Sequence, residues 1–234
     1  MPYVTKRTKT NAGLKIADAV TAPEAIAALK KFKAPKFDQT VNVVMHLGVD
    51  TAQADQALRG SLSLPKGIGK SKKVIAFCQS DQVAPALAAG AVKAGGDDLV
   101  TEVEKGFLDF DVCIASPDMM RVVSKLGKVL GPKGLMPSPK AGTVTTNIAQ
   151  AVKEYAAGKV EYRADKGGNV HAVIGKLSFK DADLVENLEF FINAIEKVKP
   201  ATVKGVYIKK ISISGAMTPG VQIKYVQAVA TDEE

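Results

Sequence analysis

The sequence predicts a two-domain protein: a discontinuous α+β domain from both termini, carrying an inserted three-layer, Rossmann-like α/β domain. The boundaries read as 1–67 plus 159–234 for the terminal domain and 68–158 for the insert. Three observations lead to this. Short apolar runs alternate with helix-like segments only in the middle of the chain. The two ends share another rhythm, strands with alternating apolar positions beside amphipathic helices. Glycines near 67 and 158 bound the middle block. A chain of 234 residues with 46% hydrophobic residues can bury two small cores.

In chain order, Thr21-Ala-Pro-Glu24 reads as a capping box opening a helix through Ile26 and Leu29 towards Lys33. Val41, Val43, Met45 and Leu47 alternate as a strand. A loop rich in glycine, proline and lysine follows, Leu64 to Lys73. Val74-Ile-Ala-Phe-Cys78 is a short apolar strand, and Asp81 to Ala94 is helical, stopped by Gly95-Gly96. A strand at Asp111 to Ala115 precedes Ser116-Pro117-Asp118, which reads as a helix cap with proline in the first turn. A second glycine-proline-lysine loop spans Gly127 to Thr143, then a helix from Asn147 to Ala157 closed by Gly158. Val160 to Ala164 and Val170 to Ile174 flank Asp-Lys-Gly-Gly-Asn, a hairpin signal. Asp181 to Lys197 is a helix with Leu184, Leu188, Phe191 and Ile195 on one face. Strands at Gly205 to Ser214 and Gly220 to Gln227 finish the fold, and Asp232 begins a frayed acidic end.

The net charge is +8 with a pI of about 9.3, which favours a polyanionic partner. The charge is segregated. Residues 1–17 hold Lys6, Arg7, Lys9 and Lys15 and no acid, and 119–153 hold Arg121, Lys125, Lys128, Lys133, Lys140 and Lys153 and no acid. Residues 197–231 repeat this with Lys197, Lys199, Lys204, Lys209, Lys210 and Lys224. The bland alternative is a solvated basic face, but three acid-free stretches in one chain favour a partner. Cys78 and Cys113 lie in apolar runs and read as buried free thiols. No run approaches a membrane span and the start has no signal-peptide core, so the cytoplasm is the expected compartment.

Catalytic sets are absent from this reading. Gly67-Ile-Gly-Lys-Ser71 resembles the end of a phosphate-binding loop, but the required earlier glycine is Leu64. A basic interdomain hinge at Gly67 and Gly158 fits better. His46 and His171 fall on separate strands, Asp109 and Asp111 read as solvated strand-edge residues, and no metal-ligand spacing occurs. No cofactor is expected. The loop Leu126 to Lys140 differs, because its prolines limit loop entropy, its glycines allow backbone approach to phosphates, and Lys133 and Lys140 supply charge. A purely connecting rigid loop is the alternative. In Ala34 to Thr40, Phe37 serves equally well as a stacking platform beside Lys36 or as a staple into the core.

Together these blocks resemble the L-one family of large-subunit ribosomal proteins, the family of the mobile lateral stalk. The resemblance is carried by Lys36 to Thr40, Leu47 to Asp50, Arg59-Gly60, Leu64 to Lys70 and Gly131 to Val144. Val170-His-Ala172, Gly175-Lys176 and Tyr207 to Lys210 add to it. It implies shape-specific binding to the stalk region of large-subunit rRNA, a part in releasing deacylated tRNA at the exit site, and repression of the protein's own operon mRNA. It implies a ribosome-bound protein that is a monomer when free. Family contact positions fall on Lys36, Phe37 and Thr40, with His171, Lys176, Lys209, Lys210, Met217 and Thr218 expected beside them. Lys133 and Lys140 are expected to make weaker phosphate contacts. One departure stands out: where the family commonly has Thr-Met-Gly, this chain has Ala216-Met217-Thr218. That removes one hydroxyl and sets a side chain where glycine permits close backbone approach. A free mRNA-binding regulator and, more remotely, a nucleotide-using enzyme are the other readings.

Overall fold

The computed structural model describes residues 5–53, 55–203 and 205–225; Lys204 and the acidic end at Asp232 lie outside them, as do the last two residues of the expected final strand. The chain opens with α1 (Lys6–Gly13), α2 (Ala22–Lys31), β1 (Thr40–Leu47) and β2 (Arg59–Leu62). Next come β3 (Val74–Phe77), α3 (Ser80–Ala88), β4 (Lys93–Gly95), α4 (Asp97–Glu104) and β5 (Val112–Ala115). Two short helices, α5 (Met120–Val123) and α6 (Gly127–Leu130), precede α7 (Ile148–Ala156). The chain then runs through β6 (Val160–Arg163), β7 (Asn169–Lys176), α8 (Asp181–Lys197), β8 (Ile208–Gly215) and β9 (Val221–Ile223).

Two compact units result. One holds 1–58, 64–66 and 162–234, and the other holds 59–63 and 67–161. The strand β2, read from sequence as part of the terminal domain, groups with the inserted unit; it pairs with β6 in a two-stranded sheet.

In the terminal unit, β7-β1-β8-β9 form an antiparallel sheet. Along β1 the side chains alternate between buried and half-buried, as expected of a strand covered on one face. Val41, Val43, Met45 and Leu47 are buried there; α2 packs on β8 and β9 and α8 on β7, and the two helices bury Ile26, Leu29, Leu184, Leu188, Phe191 and Ile195. Glu24 closes the start of α2 by accepting from the Thr21 N–H at 3.0 Å and its hydroxyl at 2.8 Å. The sequence reading missed α1, whose KRTKTNAG run has no apolar stripe. Thr5 caps it through the Thr8 N–H, and Asn11 ties it to Lys33 by donating to its carbonyl and accepting its N–H at 2.9 Å.

The inserted unit has a parallel sheet in the order β4-β3-β5. β3 and β5 are buried on both faces, as their unbroken apolar runs require, while the edge strand β4 is half-buried. Val74, Ala76, Val112 and Ile114 pack on one side with Ala86 and Val152, while Ile75, Phe77 and Cys113 pack on the other with Leu99, Val103 and Leu126. This is the expected three-layer arrangement.

Several local expectations differ. The helix starting near Asp81 ends at Ala88, and Lys93–Gly95 is an edge strand, because the Gly90 turn reverses the chain and Val92 N–H bonds to Val74 O. Ser116 does not cap a helix: its N–H bonds to Phe77 O, and 116–119 form a turn before α5. The predicted hairpin is reduced to a single bridge between Ala164 and Val170, since β6 pairs with β2 and β7 with β1. Both cysteines are free and buried.

Candidate nucleic-acid interface

The sheet of the terminal unit turns a second face away from its helices. Because strand side chains alternate, β1 presents Thr40, Asn42, Val44 and His46 there. Register places Lys176 opposite Thr40, His171 opposite Val44 and Asn169 opposite His46 on β7. On β8, Ser214, Ser212 and Lys210 lie opposite Asn42, Val44 and His46. Two bulges adjust this face. The one at Val41/Asn42 leaves Ile174 without a partner on β1 and brings Lys176 across to donate to Thr40 Oγ1 at 3.0 Å. The one at His46/Leu47 leaves Lys209 without a partner, so Lys209 and Lys210 are both exposed where alternation would bury one.

At one end of the sheet, segments 36–40, 176–178 and 215–218 are knitted together. Asp38 accepts from the Ser178 N–H at 3.2 Å and hydroxyl at 2.7 Å. Leu177 N–H bonds to Gln39 O, and Ala216 N–H to Thr40 O. Between these anchors stand two exposed apolar side chains, Phe37 at 52% and Met217 at 54%. Phe37 is therefore no staple into the core, whereas Phe32 at the end of α2 is only 3% exposed. Lys36 and Ala216 are exposed and Thr218 is half-buried. The face thus combines amide, hydroxyl and imidazole groups with lysines and two apolar contact points. That set can neutralise phosphates, bond to sugar hydroxyls and pack on exposed ribose or base surfaces.

At the other end, Asp165 organises the turn between β6 and β7. Its carboxylate accepts from the Asn169 N–H at 2.8 Å, the Asn169 side-chain amide and the Gly167 N–H. His171 Nε2 lies 3.5 Å from its second oxygen. These donors, the Asn169 N–H first, hold its pKa down from the ordinary 3.8 to about 2. Asn169 passes the order on by facing His46 Nδ1 at 2.9 Å. A carboxyl with a depressed native pKa stabilises the fold above its ordinary value and loses that contribution as pH falls through the native one. The protection factor of the Gly167 amide, which divides out the intrinsic pH dependence of exchange, should therefore be higher at pH 5 and fall between pH 4 and pH 2; a protection factor that stays flat over this window would mean the carboxylate does not hold the turn.

Lys133 and Lys140 belong to the inserted unit and are not part of this cluster. Their loop is folded, not open. Leu135 and Met136 pack on the core, Thr143 Oγ1 accepts from the Ser138 N–H at 2.8 Å, and the buried Tyr155 hydroxyl donates to Ala141 O. Burial pushes the Tyr155 phenol up to about 12, so it stays a donor. Both lysines project from this framework and are exposed. Gly67 and Gly158 adopt φ of +63° and +102° within the same unit. A Cβ at Gly158 would lie 2.7 Å from Ile68 Cγ1, so glycine is required there by both backbone and space.

The elements of a catalytic site are committed elsewhere. Asp111 accepts from the Lys73 N–H at 3.1 Å and is paired with Lys70 at 3.2 Å. The carboxyl sits below its ordinary range, mainly through the Lys73 N–H. The glycine-lysine loop is thus occupied by a carboxylate of its own chain. Burial raises the thiols of Cys78 and Cys113, the opposite of nucleophile activation. Among the described residues no group of His, Cys, Asp and Glu is placed to hold a metal, and no helix is long and apolar enough to cross a membrane.

Sequence reasoning overlooked Asn42, Asn169, Ser212 and Ser214 as members of the open face. The signal that would have found them is the same alternation that identified the buried valines. A model of the ribosomal protein L1p/L10e family matches residues 29–219. The large ribosomal subunit protein uL1 of Protochlamydia amoebophila (strain UWE25) is 51% identical over 210 residues, covering 90% of this chain and 89% of the relative. On this match, which takes in both units, the chain belongs to the ribosomal protein L1p/L10e family and is a structural, non-catalytic protein of the ribosome.

Proposed function

We propose that the protein binds the stalk region of large-subunit rRNA through the open sheet face and the 36–40 and 215–218 segments of its terminal unit. The observation that carries this reading is the pairing of two half-exposed apolar side chains, Phe37 and Met217, with a lysine-rich polar sheet face. Lys36, Lys176, Lys209 and Lys210 neutralise phosphates, Thr40, His171 and Thr218 supply polar contacts, and Phe37 and Met217 pack on the RNA surface. Lys133 and Lys140 on the inserted unit add weaker phosphate contacts. Movement about Gly67 and Gly158 lets the bound protein assist the passage and release of deacylated exit-site tRNA. The same RNA surface lets the free protein repress its own operon mRNA if that message presents a similar fold.

The test is a filter-binding titration of the stalk rRNA fragment against an unrelated hairpin of equal length, across a range of salt. Preference for the stalk fragment that survives moderate salt supports shape-specific recognition; equal affinities that fall steeply with salt leave counterion release alone. Phe37→Ala should weaken stalk binding by roughly tenfold, the effect of losing a stacking contact worth about 1–3 kcal/mol. Lys140→Ala should cost less than threefold and act on both RNAs alike. Equal small losses from the two substitutions would count against a site on the terminal unit.

A further inference from the structure

We propose that Gln39 is a positioning residue for RNA recognition: its buried carboxamide fixes the backbone at Met217, so that the 215–218 turn meets the RNA preformed. This rests on the rRNA-binding reading above. Gln39 is fully buried, in a segment whose neighbours Lys36 and Phe37 are exposed. Its Oε1 accepts the Met217 N–H at 2.9 Å. The orientation of the amide follows from the chemistry, since only the oxygen can accept from that N–H. Its Nε2 is buried and has no hydrogen-bond partner among the described residues. A buried carboxamide with an orphaned donor is a poor choice for stability alone. What it contributes is the single acceptor aimed at the turn.

The turn is built to receive it. Gly215 N–H donates to Thr218 Oγ1 at 2.8 Å, and Thr218 N–H reaches back to Gly215 O at 3.3 Å. A Cβ at Gly215 would lie 2.8 Å from Thr218 Oγ1 and 3.2 Å from Gln39 Oε1, so only glycine lets both side chains close on the turn. Thr218, where the resembling family commonly has glycine, thus turns its hydroxyl back onto its own turn. Gln39 from one segment and Thr218 from the other hold Met217 from both sides while its side chain stays exposed. A preformed contact loop forgoes the ordering cost that a mobile one incurs on binding.

Four variants test this: Gln39→Met, of similar shape without the acceptor; Thr218→Val, without the hydroxyl; Thr218→Ser, which keeps it; and Met217→Ala. Amide exchange in the free protein comes first. The Met217 N–H should exchange about tenfold or more faster in Gln39→Met than in the unaltered protein; unchanged exchange overturns the tether without reference to RNA. In filter binding, Gln39→Met and Thr218→Val should each lose about tenfold for the stalk fragment and little for the hairpin, with Thr218→Ser near the unaltered protein. In the Met217→Ala background, Gln39→Met should cost less than twofold, because it acts through that residue. Equal loss with and without the Met217 side chain would make Gln39 merely structural and overturn the proposal. If the unaltered protein fails to discriminate the two RNAs although exchange shows the tether, the rRNA-binding reading itself falls, and Gln39's part in recognition with it.

Discussion

Met217→Asp should abolish selective binding of the stalk rRNA fragment, with a loss of at least a hundredfold. Met217 is 54% exposed at the tip of the 215–218 turn, with its N–H held by Gln39. The side chain therefore projects where RNA is proposed to lie, and its replacement leaves the internal bonds of the turn in place. A carboxylate there faces phosphate oxygens. At about 4 Å and an effective dielectric near 20, the repulsion is of order 4 kcal/mol, which is several hundredfold or more in affinity. Met217→Leu keeps the apolar surface and should stay within about threefold. Because the position is half exposed, both variants should unfold within a few degrees of the unaltered protein. Full retention of stalk affinity by Met217→Asp would remove Met217 from the interface and leave Phe37 as its only apolar contact.

Legibility followed the strength of local periodicity. β1 and α8 were readable because one face of each is buried: Val41, Val43, Met45 and Leu47 at period two, and Leu184, Leu188, Phe191 and Ile195 along a helical stripe. The inserted sheet was readable from runs buried on both faces, apart from β4, whose three half-buried residues lack such a run. Elements held by tertiary contacts escaped. The polar helix α1 depends on Asn11 reaching Lys33, and β2 depends on a partner a hundred residues away in sequence. The hairpin expectation failed for the same reason: the Asp165 turn is real, but strand pairing was decided by neighbours outside the local segment. At the candidate interface, Phe37, Met217 and the lysines were legible as residue types out of place in a core. Gln39 was not, because nothing in Phe-Asp-Gln-Thr distinguishes a buried tether from another exposed polar residue.

Asn187→Leu is expected to be among the most damaging substitutions to the terminal unit, although leucine looks the better residue for its position. Asn187 lies on the buried side of α8, one position before Leu188 and three after Leu184, and is fully buried. It donates to Ile174 O at 2.8 Å and accepts from the Lys66 N–H at 3.1 Å. The first bond sits where the bulge leaves Ile174 without a partner on β1, and the second fixes the chain one residue before Gly67. Leucine would satisfy the apolar stripe yet strand the Ile174 carbonyl in the core, at roughly 1–3 kcal/mol, and would also remove the acceptor of the N–H of Lys66, an exposed residue, at about 0.5–1.5 kcal/mol. The loss of unfolding free energy should thus be about 2–5 kcal/mol, similar to that of Leu188→Ala, which opens a cavity in the same layer. Urea unfolding of both variants decides the matter. A change below about 1 kcal/mol for Asn187→Leu would mean that both backbone groups find other partners, and the bulge in β7 would then need no side chain to complete it.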